Sequence, residues 1–155
     1  MTESVIAGAS AADAILVVID NLYMYGPSSG PMTEDSPRRA SGPKGQLRAR
    51  LEEMFLAAHA RGRVGVAIGR GSDFYGPHAN SAANLLAIQP ALRGKTASWL
   101  GSLDAPHTLS YLSDFARGLV TLGTNARAWG KVWHIPSGPP VKGRTSTIKV
   151  FEALG

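Results

Sequence analysis

The chain has no cysteine. Disulfide staples, thiolate nucleophiles and thiolate metal sites are therefore excluded. Long apolar runs are missing as well. The longest clean one, Ala14-Ile15-Leu16-Val17-Val18-Ile19, falls far short of the roughly 18 residues needed to span a membrane. The N-terminus carries Glu3 and no basic n-region, so no secretory signal is read and a reduced, cytoplasmic setting is expected. No carboxylate pair, Ser-His-Asp arrangement or P-loop is visible. His59, His78 and His134 are scattered without metal-ligand spacing. There is no internal repeat. Charged residues make up 17% and aromatics 7%, against 44% apolar, a composition that excludes a disordered chain. The 155 residues fit one domain with a buried core.

Charge is sparse but localised. Between Ser36 and Arg70 stand Arg38, Arg39, Lys44, Arg48, Arg50, Arg61, Arg63 and Arg70, opposed only by Glu52 and Glu53. Such a stretch can attract phosphate on a nucleotide or a nucleic acid, or it can be a solvated helix face with basic flanks. Only Phe55 interleaves with these charges, at a core-type position. This weighs against a single-strand stacking platform, and nucleic acid is not the expected partner.

The hydrophobic pattern is that of an α/β chain. Val5 to Ala14 is Ala-rich and suits the last turns of a helix. Ala14 to Asp20 is apolar on both side-chain parities, which predicts a fully buried parallel strand. Asn21 to Gly42 is a Pro/Gly/Ser-rich loop, long enough to be functional or mobile. A helix follows, with Ser41 as N-cap, Pro43 in the first turn and Gly62 at its end. Leu47, Leu51, Met54, Phe55 and Ala58 form its apolar stripe. Val64 to Ile68 is a second buried strand, so strand, helix and strand make a βαβ unit. Asn80 to Leu92 is weakly helical, and Thr108 to Leu112 alternates like a strand. Ser113 caps a helix from Asp114 to Leu122 that Gly123 closes, and Lys131 to Ile135 is a third strand. Thr145 to Leu154 suits helix or strand.

Three segments carry a resemblance. Val17-Val18-Ile19-Asp20-Asn21-Leu22-Tyr23-Met24-Tyr25-Gly26 resembles a strand ending in a serine pair and Val-Tyr-Gly. Arg70-Gly71-Ser72-Asp73-Phe74-Tyr75-Gly76-Pro77 resembles Arg-x-x-Asn-Val-Tyr-Gly-Pro. His107 to Ala116 resembles Arg-Asp-Phe-Val-Tyr-Val-Asp-Asp-Val-Ala, with Tyr111, Asp114 and Ala116 matching. In this order they resemble the NAD-dependent epimerase/dehydratase family of extended short-chain dehydrogenases/reductases. The resemblance implies the second half of a Rossmann-like parallel sheet with flanking helices, and a single incomplete NAD(P)-binding domain over residues 1–155. It does not include the family's glycine-rich pyrophosphate turn, since no G-x-x-G-x-x-G or G-x-G-x-x-G occurs.

The same resemblance implies a site. Asn21 falls at the position of the family's substrate-orienting serine, Lys44 at its catalytic tyrosine and Arg48 at the lysine that holds the ribose. Asn21 can still hydrogen-bond a carbonyl. Arg48 can grip ribose hydroxyls or phosphate but cannot lose its proton. Lys44 is a candidate acid if burial or Arg48 makes its proton easier to lose. Tyr23 and Tyr25 are the phenols of that loop, one of them a candidate substitute for the acid. Ser72, Asp73 and Phe74 fall where the family approaches the nicotinamide ring. His107 replaces an arginine that contacts the diphosphate of sugar-nucleotide substrates. The implied cofactor is NAD or NADP and the implied ligand a small molecule.

Two function classes follow. The first is an NAD(P)-dependent epimerase/dehydratase-like protein, an oxidoreductase or isomerase by ancestry, weak or inactive as an isolated chain. The second is a non-catalytic module that pairs through an exposed sheet edge or the helix 44–61, which in the family helps form a four-helix dimer interface. Either predicts a homo-oligomer.

Overall fold

The computed structural model describes residues 1–153 and contains two compact units. The first comprises Met1–Gly71 and Arg117–Ile135. Its centre is a parallel sheet of β1 (Leu16–Asp20), β2 (Val66–Arg70) and β6 (Lys131–His134), in the order β1-β2-β6. Side chains alternate across a strand, so Leu16, Val18, Val66, Ile68 and Val132 share one face. They pack against Ile6 and Ala9 of α1 (Thr2–Ala11) and Phe55, Leu56 and Ala58 of α2 (Pro43–Ala60). The opposite face meets the part of α4 (Leu112–Thr124) that belongs to this unit. There a Cβ on Gly69 would lie 2.5 Å from Leu119, and one on Gly123 would lie 3.1 Å from Val17.

Several expectations are corrected here. β1 is not fully buried: Ile19 is 58% exposed, because β1 is the edge strand among the described residues. α2 begins one residue later than a Ser41 cap implies. Gly42 is its N-cap and no side chain caps it; Ser41 instead offers its carbonyl to Gln46. The stripe on α2 is also displaced. Leu47 is 50% exposed, while Glu52 is buried at 2%, so the helix turns a carboxylate toward the sheet. Gly123 does not close α4. The helix runs through it to Thr124; the glycine is a close-approach position instead, since a Cβ there would press on Val17.

The second unit comprises Ser72–Ala116 and the segment from Pro136. β3 (Asp73–Tyr75), which the hydrophobic pattern does not announce, pairs parallel with β5 (Leu109–Tyr111). β4 (Pro106–His107) pairs antiparallel with β7 (Val141–Lys142). A π-helical turn over Asn84–Ile88 runs into the short α3 (Gln89–Ala91) and packs on α5 (Gly143–Glu152). The C-terminal stretch is therefore helix up to Glu152; Leu154 lies outside the described residues. No helix among the described residues is long and apolar enough to cross a membrane.

Candidate functional site

The parallel register brings the last residues of the three strands into one row: Asp20 opposite Arg70, and Arg70 opposite His134. All three lie on the apolar α2 face, which becomes polar in this final row. In an open parallel sheet the carboxyl ends of the strands are where ligands bind.

Arg70 organises the row. It is 1% exposed. Its Nε donates to Asp20 at 3.1 Å, one Nη to the Tyr25 hydroxyl at 2.5 Å, and the other to Glu52. Burial works against the guanidinium charge, but Asp20, Glu52 and Tyr25 outweigh it and hold Arg70 above its ordinary value. Glu52 is shared with Arg38 of the 26–42 loop. His134 accepts or donates at 2.8 Å to the Tyr25 hydroxyl and gives its backbone N–H to Glu34 at 2.6 Å. Burial lifts the Tyr25 phenol above its usual value, against the pull of Arg70.

The resemblance-derived residues fall into one group in each unit. In the first, Asn21 accepts the Tyr23 backbone N–H through Oδ1 at 3.1 Å. This fixes the 3-10 turn Tyr23–Tyr25 that follows β1. Tyr23 is 54% exposed, whereas Tyr25 is 3% exposed, its hydroxyl held between Arg70 and His134. As a solvent-facing acid, Tyr25 is therefore displaced into the interior. α2 approaches this turn at Gly45, where a Cβ would lie 2.5 Å from the Tyr23 carbonyl oxygen. The close approach places the first turns of α2, with Lys44 and Arg48, beside the turn. Lys44 is exposed, so burial, one of the two conditions for its use as an acid, is not met. Arg48 is half-buried and faces the Asp20 carboxylate at 3.7 Å.

In the second unit, the Ser72 backbone N–H donates to Ser110 Oγ at 3.1 Å, and Ser110 in turn contacts Ser137 Oγ at 2.8 Å. Phe74 stacks edge-on against Phe115 at 4.8 Å, a packing role. Asp73 and His107, expected on different ligands, are a single hydrogen-bonded pair at 2.9 Å. That bond to Asp73 holds the imidazole above its usual value. Trp99 meets the same ring edge-on.

Sequence reasoning passed over Asp20, Glu34, Glu52 and His134. Arg70 carried the one available signal, an arginine closing an otherwise apolar strand. The basic stretch of residues 38–70 is also less exposed as a charge than its composition suggests: Arg38, Arg48, Arg63 and Arg70 all face carboxylates.

The model of the NAD dependent epimerase/dehydratase family matches residues 1–135. No curated protein matches the sequence. Among solved structures, the chain is similar to DesIV, a dTDP-glucose 4,6-dehydratase from Streptomyces venezuelae solved with NAD bound. The TM-score is 0.83 at 25% identity, over 99% of this chain and 48% of that one. It is similar in fold to UDP-glucuronic acid 4-epimerase from Bacillus cereus in complex with UDP-glucuronic acid and NAD, with TM-score 0.83, 22% identity and coverage of 99% and 50%. UDP-glucose 4-epimerase from Thermus thermophilus in complex with NAD gives TM-score 0.79, 16% identity and coverage of 98% and 52%. The chain thus spans about half the length of these structures.

Proposed function

Because this chain belongs to the NAD dependent epimerase/dehydratase family, we propose that it is an NAD(P)-dependent epimerase/dehydratase-like protein with an altered and weakened catalytic set. The observation that carries this reading is the Asp20–Arg48 pair beside Asn21 at the carboxyl end of β1. It supports the reading because Arg48 is a cation and Asn21 an amide, the groups the resemblance assigns to holding the ribose and orienting the substrate.

The residues of the first unit suit the ribose of the nicotinamide half; those of the second unit are proposed by resemblance only. Arg48, steadied by Asp20, would hold the ribose of the nicotinamide half through its N–H donors. Asn21 spends its Oδ1 on the Tyr23 N–H, and its amide nitrogen would orient a substrate carbonyl. Ser72, Asp73 and Phe74 are proposed for the ring and His107 for the substrate. The pyrophosphate has no glycine-rich turn to receive it in these 155 residues. When bound, the group supplies hydride transfer.

Proton transfer is where the chain departs from the family. Arg48 cannot give up a proton, Lys44 is solvated, and the Tyr25 hydroxyl is already engaged. Tyr23, half-exposed beside Asn21, is the phenol able to meet a ligand. Weak or absent turnover follows.

Equilibrium titration with NADH and NADPH, followed by ligand fluorescence, tests the reading. Saturable binding is expected, with Arg48→Ala weakening it by about tenfold, the value of one charge-assisted contact. No saturation in either cofactor would overturn it.

A second reading is supported by the surface. Ile19 on the edge of β1 and Leu47 on α2 are 58% and 50% exposed, and an open apolar strand edge invites pairing. On this reading the chain is an interaction module, oligomeric in solution, that binds neither cofactor.

A further inference from the structure

The amino end of the parallel sheet, away from the row of Asp20, Arg70 and His134, carries a cavity of its own. Its volume is about 430 Å³, within the range of small-molecule sites, roughly 300–1,000 Å³. Its lining lies wholly in the first unit. Ile15 leads into β1, Val64 into β2 and Trp129 into β6, while Asp13 follows α1 and His59 and Arg63 belong to the end of α2 and the turn after it.

Two polar groups on this wall have no partner within the chain. The first is an N–H. Val66 opens β2 and is 0% exposed. Its N–H donates to His59 Nδ1 at 3.3 Å, since β6 pairs with β2 only from Ala67 onward. Nδ1 is therefore the bare nitrogen, and the neutral ring carries its proton on Nε2. Nε2 has no acceptor among the described residues, yet it is not sealed from solvent. The ring fits there because residue 130 is glycine: a Cβ would lie 2.5 Å from Nε2.

The second group is a carboxylate. Asp13 stands just past α1 at φ +49, in the left-handed position where glycine is usual. The corresponding position after α2 is Gly62 at φ +66. An anion at this end of a helix also meets the negative pole of the dipole. Asp13 nevertheless has no ion-pair partner among the described residues. A residue that breaks local preference without compensation inside the fold points to function. Arg63 adds a cation. One Nη bonds Glu3 at 3.2 Å, and the guanidinium has further donors to offer. Trp129 spends its indole N–H on the Leu122 carbonyl, so it presents ring surface to the cavity beside Ile15 and Val64.

We propose that this cavity binds an α-amino acid with an apolar side chain. Each part of such a ligand has a counterpart. The carboxylate accepts from His59 Nε2 and Arg63, the ammonium pairs with Asp13, and the side chain lies against Trp129, Ile15 and Val64. A plain carboxylic acid leaves Asp13 unpaired, and a plain amine leaves the donors unspent. None of these residues belongs to the proposed cofactor site, so the two readings stand or fall separately.

Titration of the intact protein with L-leucine, followed through the indole N–H signals by NMR, tests the proposal. Trp129→Phe identifies the Trp129 signal. Saturable movement of that signal is expected, with a Kd in the millimolar range or tighter. Isovaleric acid lacks the ammonium and isoamylamine lacks the carboxylate; each should bind at least about tenfold more weakly. Asparagine tolerates the left-handed backbone, so Asp13→Asn keeps the turn and removes the charge. It should weaken L-leucine binding by about tenfold and leave isovaleric acid unchanged. No saturation at Trp129 overturns the proposal. So does movement confined to the other indoles, an acid or amine that matches L-leucine, or an Asp13→Asn protein that binds L-leucine as the wild type does.

Discussion

Arg70 is almost wholly inaccessible and still charged, so its stability rests on the groups around it. Two carboxylates, Asp20 and Glu52, accept from it, and desolvating them is tolerable only while the charges remain matched. Glu52→Gln is therefore expected to cost about 3–5 kcal/mol, the range for breaking a buried pair, read by urea unfolding. Asp20→Asn should cost less, because Asp20 lies at the edge of the row beside the half-exposed Arg48. The two paired histidines give stability of opposite pH sense. His134 lies below its ordinary value, so the unfolded chain binds more protons; its contribution is present above about pH 6.5 and lost as pH falls. His107 lies above its ordinary value; its contribution is present below about pH 6.5 and lost as pH rises through the folded value. The His107 contribution is small, since both partners are about two-fifths exposed. Asp73→Asn should return His107 toward about 6.5 in an NMR titration. None of these pairings was legible in the sequence. Asp20 and His134 are 114 positions apart in the chain, and only the register of three strands puts them in one row.

At the scale of elements, two glycines separate conformation from contact. Gly62 follows α2 at φ +66, with open space where a side chain would go. Gly62→Ala should cost about 1 kcal/mol through backbone strain alone. Gly118 is an ordinary helical residue, but its Cβ would lie 2.6 Å from Ile135. Gly118→Ala gains helix propensity of about 1 kcal/mol and meets an overpacking cost of about 1–3 kcal/mol, so a net loss in thermal stability is expected. The helix at 43–60 and the strands near 16–20, 66–70 and 131–134 were legible because apolar periodicity and glycine or proline punctuation are local signals. The face of α2 was not. Its strongest apolar stripe includes the exposed Leu47, while the sheet demands Glu52 as the partner of Arg70.

For the molecule as a whole, the open edge of β1 and the outward side of α2 bear on assembly. Light scattering is expected to give a dimer or larger species. Ile19→Lys should shift it toward monomer with little change in stability, as Ile19 is largely solvated in the isolated chain. A monomeric wild type would remove the pairing reading. The sequence by itself determined the α/β class, the order of the main elements and the family, because these rest on local pattern and on short motifs kept in order. It also carried the resemblance by which Asn21, Lys44 and Arg48 are expected at the positions of the family's Ser, Tyr and Lys. Tertiary structure decided what those residues can do. Register joined Asp20, Arg70 and His134. The bend after β1 drew the Tyr25 hydroxyl inward, and pairing across the second unit joined Asp73 to His107. Such contacts depend on which distant backbone segments pack together, and residue type alone does not encode that.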